Sequence, residues 1–283
     1  MYRISKLLLK GLVTFSILFV AYAAVAGDDR ERDSELLMGV APFMSPEALF
    51  KRLSPLRDYL RDETKRDVVL ELSRNVNKLI ERTDSQHYDI LLTGPTFVLR
   101  AFDSGLYLPG VIPDLTTAVL IVGLSSPIQS IEQLKGKKIA VPPSKGAVAK
   151  MASSFFRSKG IGDNDLPQSI NYAGHNAAFM AVINGDVDAA FIAEYGYHDA
   201  LSNGDSAKEI GRTKPFPGIG MIISSRLSTE VREKIINAML RLSESPQGAV
   251  VLKKISFPPF RRYSIQEYED VRNYFTNISS GKK

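Results

Sequence analysis

The stretch His175–Ile192, HNAAFMAVINGDVDAAFI, holds a complete helix–turn–strand unit. His175 to Asn184 suits a helix, and Asn184-Gly185-Asp186 carries the residues of a tight turn. Val187 to Ile192 is a short, mostly apolar run, the pattern of a strand covered on both faces. Just upstream, Ser169 to Tyr172 reads as another strand, and Gly174-His175-Asn176 opens the helix that follows it. Strand, helix and strand in succession predict an α/β fold with largely parallel sheets.

The same alternation extends outward in both directions. Glu35 to Ala41 predicts a first strand, and Ser45-Pro46-Glu47 starts a helix with a Ser cap and Pro at the first helical position. Leu49, Phe50, Leu53, Leu56 and Leu60 then share one helical face, with Pro55 expected to break or kink the helix. Asp67 to Leu72 reads as a strand, Asn75 to Arg82 as a helix, and Asp89 to Leu92 as a buried strand ending in Thr93-Gly94-Pro95-Thr96. At Thr116 the pattern shifts to a β-branched run reaching Leu124. Ser130 to Leu134 is helix-like, and Lys137 to Val141 is a strand. The turn Pro142-Pro143-Ser144-Lys145-Gly146 then leads into a helix through Phe156. Met221 to Ser224 reads as the last strand of this second block. Helices are expected over Thr229 to Glu244 and Ile265 to Tyr274.

The first residues speak to compartment. Arg3, Lys6 and Lys10 precede an uncharged, mostly apolar run that closes in Ala24-Val25-Ala26. That is the architecture of an export signal cut after Ala26, giving a periplasmic protein. A retained N-terminal anchor is the alternative, although the run is at the short end for a span, which takes ~20 apolar residues. Without residues 1–26, Lys and Arg fall from 36 to 33 against 31 acids, so most of the net +5 belongs to the leader. No basic run with interleaved aromatics marks a nucleic-acid partner. The chain has no cysteine, so stability rests on burial and no lipid-modified Cys can follow the leader.

Several segments carry a family likeness. They are Val40-Ala41-Pro42-Phe43-Met44-Ser45-Pro46-Glu47, Tyr88-Asp89-Ile90 with Gly94-Pro95, and Ser125-Ser126-Pro127-Ile128 with Leu134-Lys135-Gly136-Lys137-Lys138-Ile139-Ala140. Ala173-Gly174-His175-Asn176 and Val182-Ile183-Asn184-Gly185-Asp186-Val187-Asp188-Ala189-Ala190 complete the set, all in family order. The chain resembles the phosphonate-binding branch of the type II periplasmic binding proteins that serve ABC transporters. The resemblance implies two Rossmann-like lobes joined by two crossovers. One lobe would hold residues 33–115 plus 225–283, the other 118–220, and strand-to-helix turns would line the cleft between them.

Three turns are the leading candidates for holding a small anion. Ser144-Lys145-Gly146-Ala147 aims backbone N–H groups and a positive helix end at one point, with a hydroxyl and an amine beside it. The resemblance implies a Ser/Thr-rich anion loop here, from which Lys145 departs. His175, with Asn176, opens a helix after a strand and can donate from a ring nitrogen. Pro95 and Thr96 follow Gly94 at a third such turn, equally readable as a plain strand-to-helix connection. His87 and His198 read as surface. The resemblance adds Asn75 and Thr116, where relatives often present aromatic hydroxyls, and Glu194 or Tyr195, near where relatives can meet an ammonium. Neither Asn75 nor Thr116 is Tyr, and Pro217-Gly218-Ile219-Gly220 lacks an acid found in some relatives. The expected ligand is therefore a purely anionic phosphonate, phosphite or similar oxyanion.

Catalysis has no support in the sequence. There is no Gly-x-Ser-x-Gly, P-loop or dinucleotide fingerprint, and three scattered His without Cys make no dense metal site. No enzyme activity, cofactor or metal is expected. The expected partner is an ABC transporter permease or, in the alternative, a membrane sensor kinase that reads the closed form. A monomer is expected.

Overall fold

The computed structural model describes residues 35–276. The N-terminal export or anchor segment lies outside the described residues. Among those described, no helix is long and apolar enough to cross a membrane.

The chain begins β1 (Glu35–Val40), α1 (Pro46–Thr64), β2 (Asp67–Leu72), α2 (Val76–Asp84), β3 (Ile90–Thr93), α3 (Pro95–Asp103) and β4 (Tyr107–Ile112). A short β5 (Leu115–Thr116) leads to β6 (Ala118–Gly123), β7 (Lys138–Val141), α4 (Ala147–Ser158), β8 (Gln168–Asn171), α5 (His175–Ile183), β9 (Ala189–Ala193), α6 (Glu194–Ser202) and β10 (Ala207–Arg212). The chain returns through β11 (Phe216–Pro217) to β12 (Gly220–Ser224), α7 (Thr229–Leu240), α8 (Pro246–Ile255), β13 (Arg261–Arg262) and α9 (Ile265–Thr276).

Two sheets result, ordered β13-β4-β12-β3-β1-β2 and β10-β6-β9-β7-β8. The short strands β5 and β11 pair antiparallel and carry the two passages between the sheets. The chain is thus an α/β protein of two lobes, one built on each sheet.

Both sheets are covered on both faces, which is why their central strands are apolar throughout. Along β6, Ala118, Leu120 and Val122 join one core while Val119 and Ile121 join the other. Along β3, Ile90 and Leu92 face α1, α7 and α8, and Leu91 faces the opposite layer with Val98 and Tyr268. The period of two places a separate core on each side of each sheet.

Three sequence expectations are corrected. The sheets are mixed rather than largely parallel: β2-β1-β3 and β8-β7-β9 run parallel, whereas β12, β4, β13, β6 and β10 add antiparallel neighbours. The strand at Met221–Ser224 does not close the second block. It pairs with β3 and β4 in the first sheet. Pro55 does not end its helix, since α1 continues to Thr64 with Leu53, Leu56, Tyr59 and Leu60 buried. Apolar packing on that face outweighs the hydrogen bond that Pro55 removes. Helices α6 and α8, the latter capped by Ser245 with Pro246 at its start, were not anticipated.

Two strands also lacked a legible pattern. β4 contains Pro109 and Gly110, and its ladder with β12 shifts register opposite them. A Cβ on Gly110 would lie 2.7 Å from the Met221 carbonyl oxygen, so the close backbone approach requires glycine. β10 is a polar edge strand, Ala207–Arg212, with a register irregularity between Glu209 and Gly211.

Candidate functional site

The C-terminal ends of β1, β3, β7, β8 and β9 all run into one cavity between the lobes. This is where open α/β sheets place their ligand clefts. Its volume is about 110 Å³. Pro42, Phe43, Val76, Pro95 and Phe97 line the first lobe's side, and Pro143, Ala147, His175, Ala193 and Tyr195 the second's. Thr116, Phe216, Gly218 and Ile219 close the hinge side. No Asp, Glu, Lys or Arg is among the lining residues. The walls are mainly apolar, with hydroxyls, one imidazole and backbone groups as the polar elements.

Those backbone groups are distributed unevenly over the fold. α1, α2, α7 and α8 begin at Ser45, Asn75, Ser228 and Ser245, whose side-chain oxygens each accept a first-turn N–H. α3, α4, α5 and α6 begin at Gly94, Gly146, Gly174 and Ala193, and none has a side-chain cap. All four of these uncapped cap residues line the cavity. The uncapped ends leave first-turn donors for something else, although at α6 the Glu194 N–H already donates to the Thr117 carbonyl at 2.9 Å. Four positive helix ends in one small space create a field that favours an anion.

His175 is fixed in one form. The Ala193 N–H donates to Nδ1 at 3.1 Å, so in the neutral ring the proton sits on Nε2. Desolvation pushes the imidazole down to about 4, which keeps it neutral at ordinary pH. A Cβ on Gly196 would lie 2.7 Å from the His175 Cβ, so glycine there lets α6 pack against the histidine. Tyr195 packs edge-on against His175, with ring centroids 5.0 Å apart, and against Phe43 of the other lobe at 6.4 Å. Burial holds its phenol above the usual range, so it stays a hydrogen-bond donor.

Of the residues singled out in the sequence, Pro95, Thr96, Thr116, Gly146, Ala147, His175 and Tyr195 line the cavity. Ser144 and Lys145 do not. Gly146 N–H donates to the Pro143 carbonyl, making a turn whose two corner residues are exposed. Lys145 instead reaches across to the first lobe, where Nζ donates to Asn77 Oδ1 at 2.6 Å. Its carbonyl accepts the Thr96 hydroxyl at 3.1 Å. Asn75 is an exposed cap whose Oδ1 accepts the Lys78 N–H, and Val76 lines the cavity in its stead. Asn176 is exposed in the first turn of α5.

Glu194 also stays out of the lining. Its carboxylate accepts from Thr117 Oγ1 at 3.0 Å and from Arg212 Nη1 at 2.9 Å. Burial pushes its pKa up, but those two hydrogen bonds outweigh burial and hold it below the usual value. Among the described residues, no group of three or more His, Cys, Asp or Glu could hold a metal ion.

The sequence reading missed the aromatic wall of Phe43, Phe97 and Phe216. Each is apolar and so resembles core residues in the sequence. Only the prolines next to Phe43 and Phe216, and Gly94-Pro95 just before Phe97, hinted at a turn over a cleft. The missing side-chain caps at Gly94, Gly146 and Gly174 were visible as Gly in the position just before three helices.

Comparison with known proteins places this geometry. Residues 38–268 match the family model described as the ABC transporter, phosphonate, periplasmic substrate-binding protein. The phosphonates-binding periplasmic protein of Escherichia coli (strain K12) is 24% identical over 165 residues, 55% of this chain and 48% of that protein. The match thus spans about half of that relative's length. Among solved structures, PhnD1 from Prochlorococcus marinus in complex with methylphosphonate aligns with TM-score 0.74 at 14% identity, over 87% of this chain and 98% of that one. A binding protein component of an ABC phosphonate transporter from Pseudomonas aeruginosa aligns with TM-score 0.75 at 16% identity, covering 87% and 86%. XAC2383 from Xanthomonas citri, bound to chloride, aligns with TM-score 0.73 at 14% identity, covering 88% and 100%.

Proposed function

Since the chain belongs to the family of periplasmic substrate-binding proteins of phosphonate ABC transporters, we propose that it captures a small phosphonate-type oxyanion between its lobes and delivers it to a membrane permease. One observation carries this reading: four helices with no side-chain cap converge on a single cavity that has no charged lining residue. Backbone N–H groups and helix ends stabilise an anion without a paired cation, and the absence of a lysine or arginine keeps release feasible.

In this reading the anion's oxygens meet the first-turn N–H groups of α3, α4 and α5, the Nε2–H of His175 and the hydroxyl of Tyr195. The P-substituent or hydrogen faces Phe43, Phe97 and Phe216. A cavity of about 110 Å³ suits a phosphonate, phosphite or related oxyanion with a small substituent. Binding spans both lobes and so favours the closed arrangement that a permease would receive.

A thermal-shift panel of methylphosphonate, phosphite, phosphate, sulfate and methanesulfonate tests the proposal. A true ligand at 100-fold its Kd adds about 2.7 kcal/mol of stability. The expected result is a clear shift with a phosphorus oxyanion. No shift with any of the five would overturn the reading.

A further inference from the structure

The cavity is acid-free by arrangement, and the arrangement is visible in one residue. Ala193 and Tyr195 both line the cavity, and Glu194 lies between them at the start of α6. Thr117, which donates to its carboxylate, follows the lining residue Thr116. Glu194 therefore sits at the border of the site and is held outside by two donors. Oε2 accepts from Thr117 and Oε1 from Arg212. Arg212 is itself braced by Glu209, with Nε to Oε1 at 2.7 Å and Nη2 to Oε2 at 2.6 Å.

We infer that the ligand carries no cationic group, and that Arg212 and Thr117 set this specificity by holding the Glu194 carboxylate out of the cavity. An ammonium entering as the walls stand would meet four positive helix ends and a neutral imidazole, with no carboxylate to pair with. Rejection of a zwitterion thus comes from an unpaired charge, a stronger discriminator than a misfit of size. The accepted class is the phosphonate with a hydrogen or small uncharged substituent, and the excluded class is the aminoalkylphosphonate. The inference rests on the proposed reading of the cleft.

Isothermal titration of methylphosphonate and 2-aminoethylphosphonate tests it in four proteins: wild type, Glu194→Gln, Arg212→Gln with Thr117→Val, and the triple variant. Wild type is expected to prefer methylphosphonate by about tenfold or more. Releasing the carboxylate with R212Q/T117V should narrow that preference by about fivefold or more, through tighter binding of the amino ligand. Adding E194Q to those two changes should restore the original preference, and E194Q alone should leave it unchanged. Methylphosphonate affinity reports on folding in every variant. An unmoved ratio in R212Q/T117V, or a wild-type preference for the amino ligand, overturns the inference while the cleft reading stands. Failure of wild type to bind either compound overturns the inference, and only failure of all five oxyanions of the thermal-shift panel as well overturns the cleft reading.

Discussion

The imidazole of His175 carries its proton on Nε2 because Nδ1 accepts a hydrogen bond from the Ala193 N–H. Burial holds its pKa at about 4 against an ordinary 6.5. Between those values the unfolded chain binds a proton that the native chain does not, so stability rises with pH through that window and is lost as pH falls. The effect is on the order of 2–3 kcal/mol. Urea titrations at pH 7 and pH 4.5 are expected to show a smaller acid penalty in His175→Asn than in wild type. At neutral pH, His175→Ala should weaken methylphosphonate binding by about 1.5–3 kcal/mol, the range for a hydrogen bond to a charged group, as read by titration calorimetry. The same scale separates legible from illegible site residues. His175 stood out in the sequence through the family likeness of Ala173-Gly174-His175-Asn176, since a lone histidine by itself is more often structural or exposed. Ser144 and Lys145 also stood out, yet the turn presents them outward, and side-chain direction at a turn corner is not written in residue type.

At the scale of the element, the contrast between self-capped and uncapped helices separates support from function. Serine or asparagine caps stabilise α1, α2, α7 and α8, whereas glycine or alanine leaves α3 to α6 dependent on what enters the cavity. Gly94 and Gly174 have ordinary extended φ values of −80° and −174°, and a Cβ at either would meet nothing within 4 Å. Gly94→Ser or Gly174→Ser should therefore fold, with a gain of a few tenths of a kcal/mol. Its new hydroxyl would compete with the ligand for first-turn N–H groups, and several-fold weaker binding is expected by calorimetry. Ser228→Ala, in a helix outside the cleft, should instead cost about 1 kcal/mol of stability in a denaturant melt and leave affinity unchanged. Most elements were readable because caps, glycine turns and apolar runs are local signals. β4 and β10 were not, because Pro109, Gly110 and a polar edge suit strands only where particular neighbours accept them. For α8 the signal was present in Ser245-Pro246, the same start seen at Ser45-Pro46.

Across the whole molecule, the lobes touch at contacts that lie outside the cavity as well as around it. Lys145 Nζ meets Asn77, Thr96 meets the Lys145 carbonyl, and Arg52 Nη1 lies 3.4 Å from Asp199 Oδ2. Arg52 is itself held by the carbonyls of Ile255 and Ser256 at the end of α8. Such partly exposed pairs contribute little to folding but can bias a hinge whose two states differ by a few kcal/mol. The double variant Arg52→Ala/Lys145→Ala is expected to enlarge the radius of gyration of the ligand-free protein in X-ray scattering and to lower ligand affinity. Saturating ligand should return the compact value. An unchanged radius and affinity would remove these contacts from the closing equilibrium. The sequence alone determined the α/β class, the two-block order of the chain, most of the helix starts and the likeness to a phosphonate-binding family. These depend on periodicity and on residues adjacent in the chain. Only the tertiary structure decided which helix ends share a cavity, that Met221–Ser224 joins the first sheet, and that Glu194 turns to Arg212 instead of the cleft. Each of those depends on partners distant in sequence, and no local pattern encodes which of several compatible partners packing will bring near.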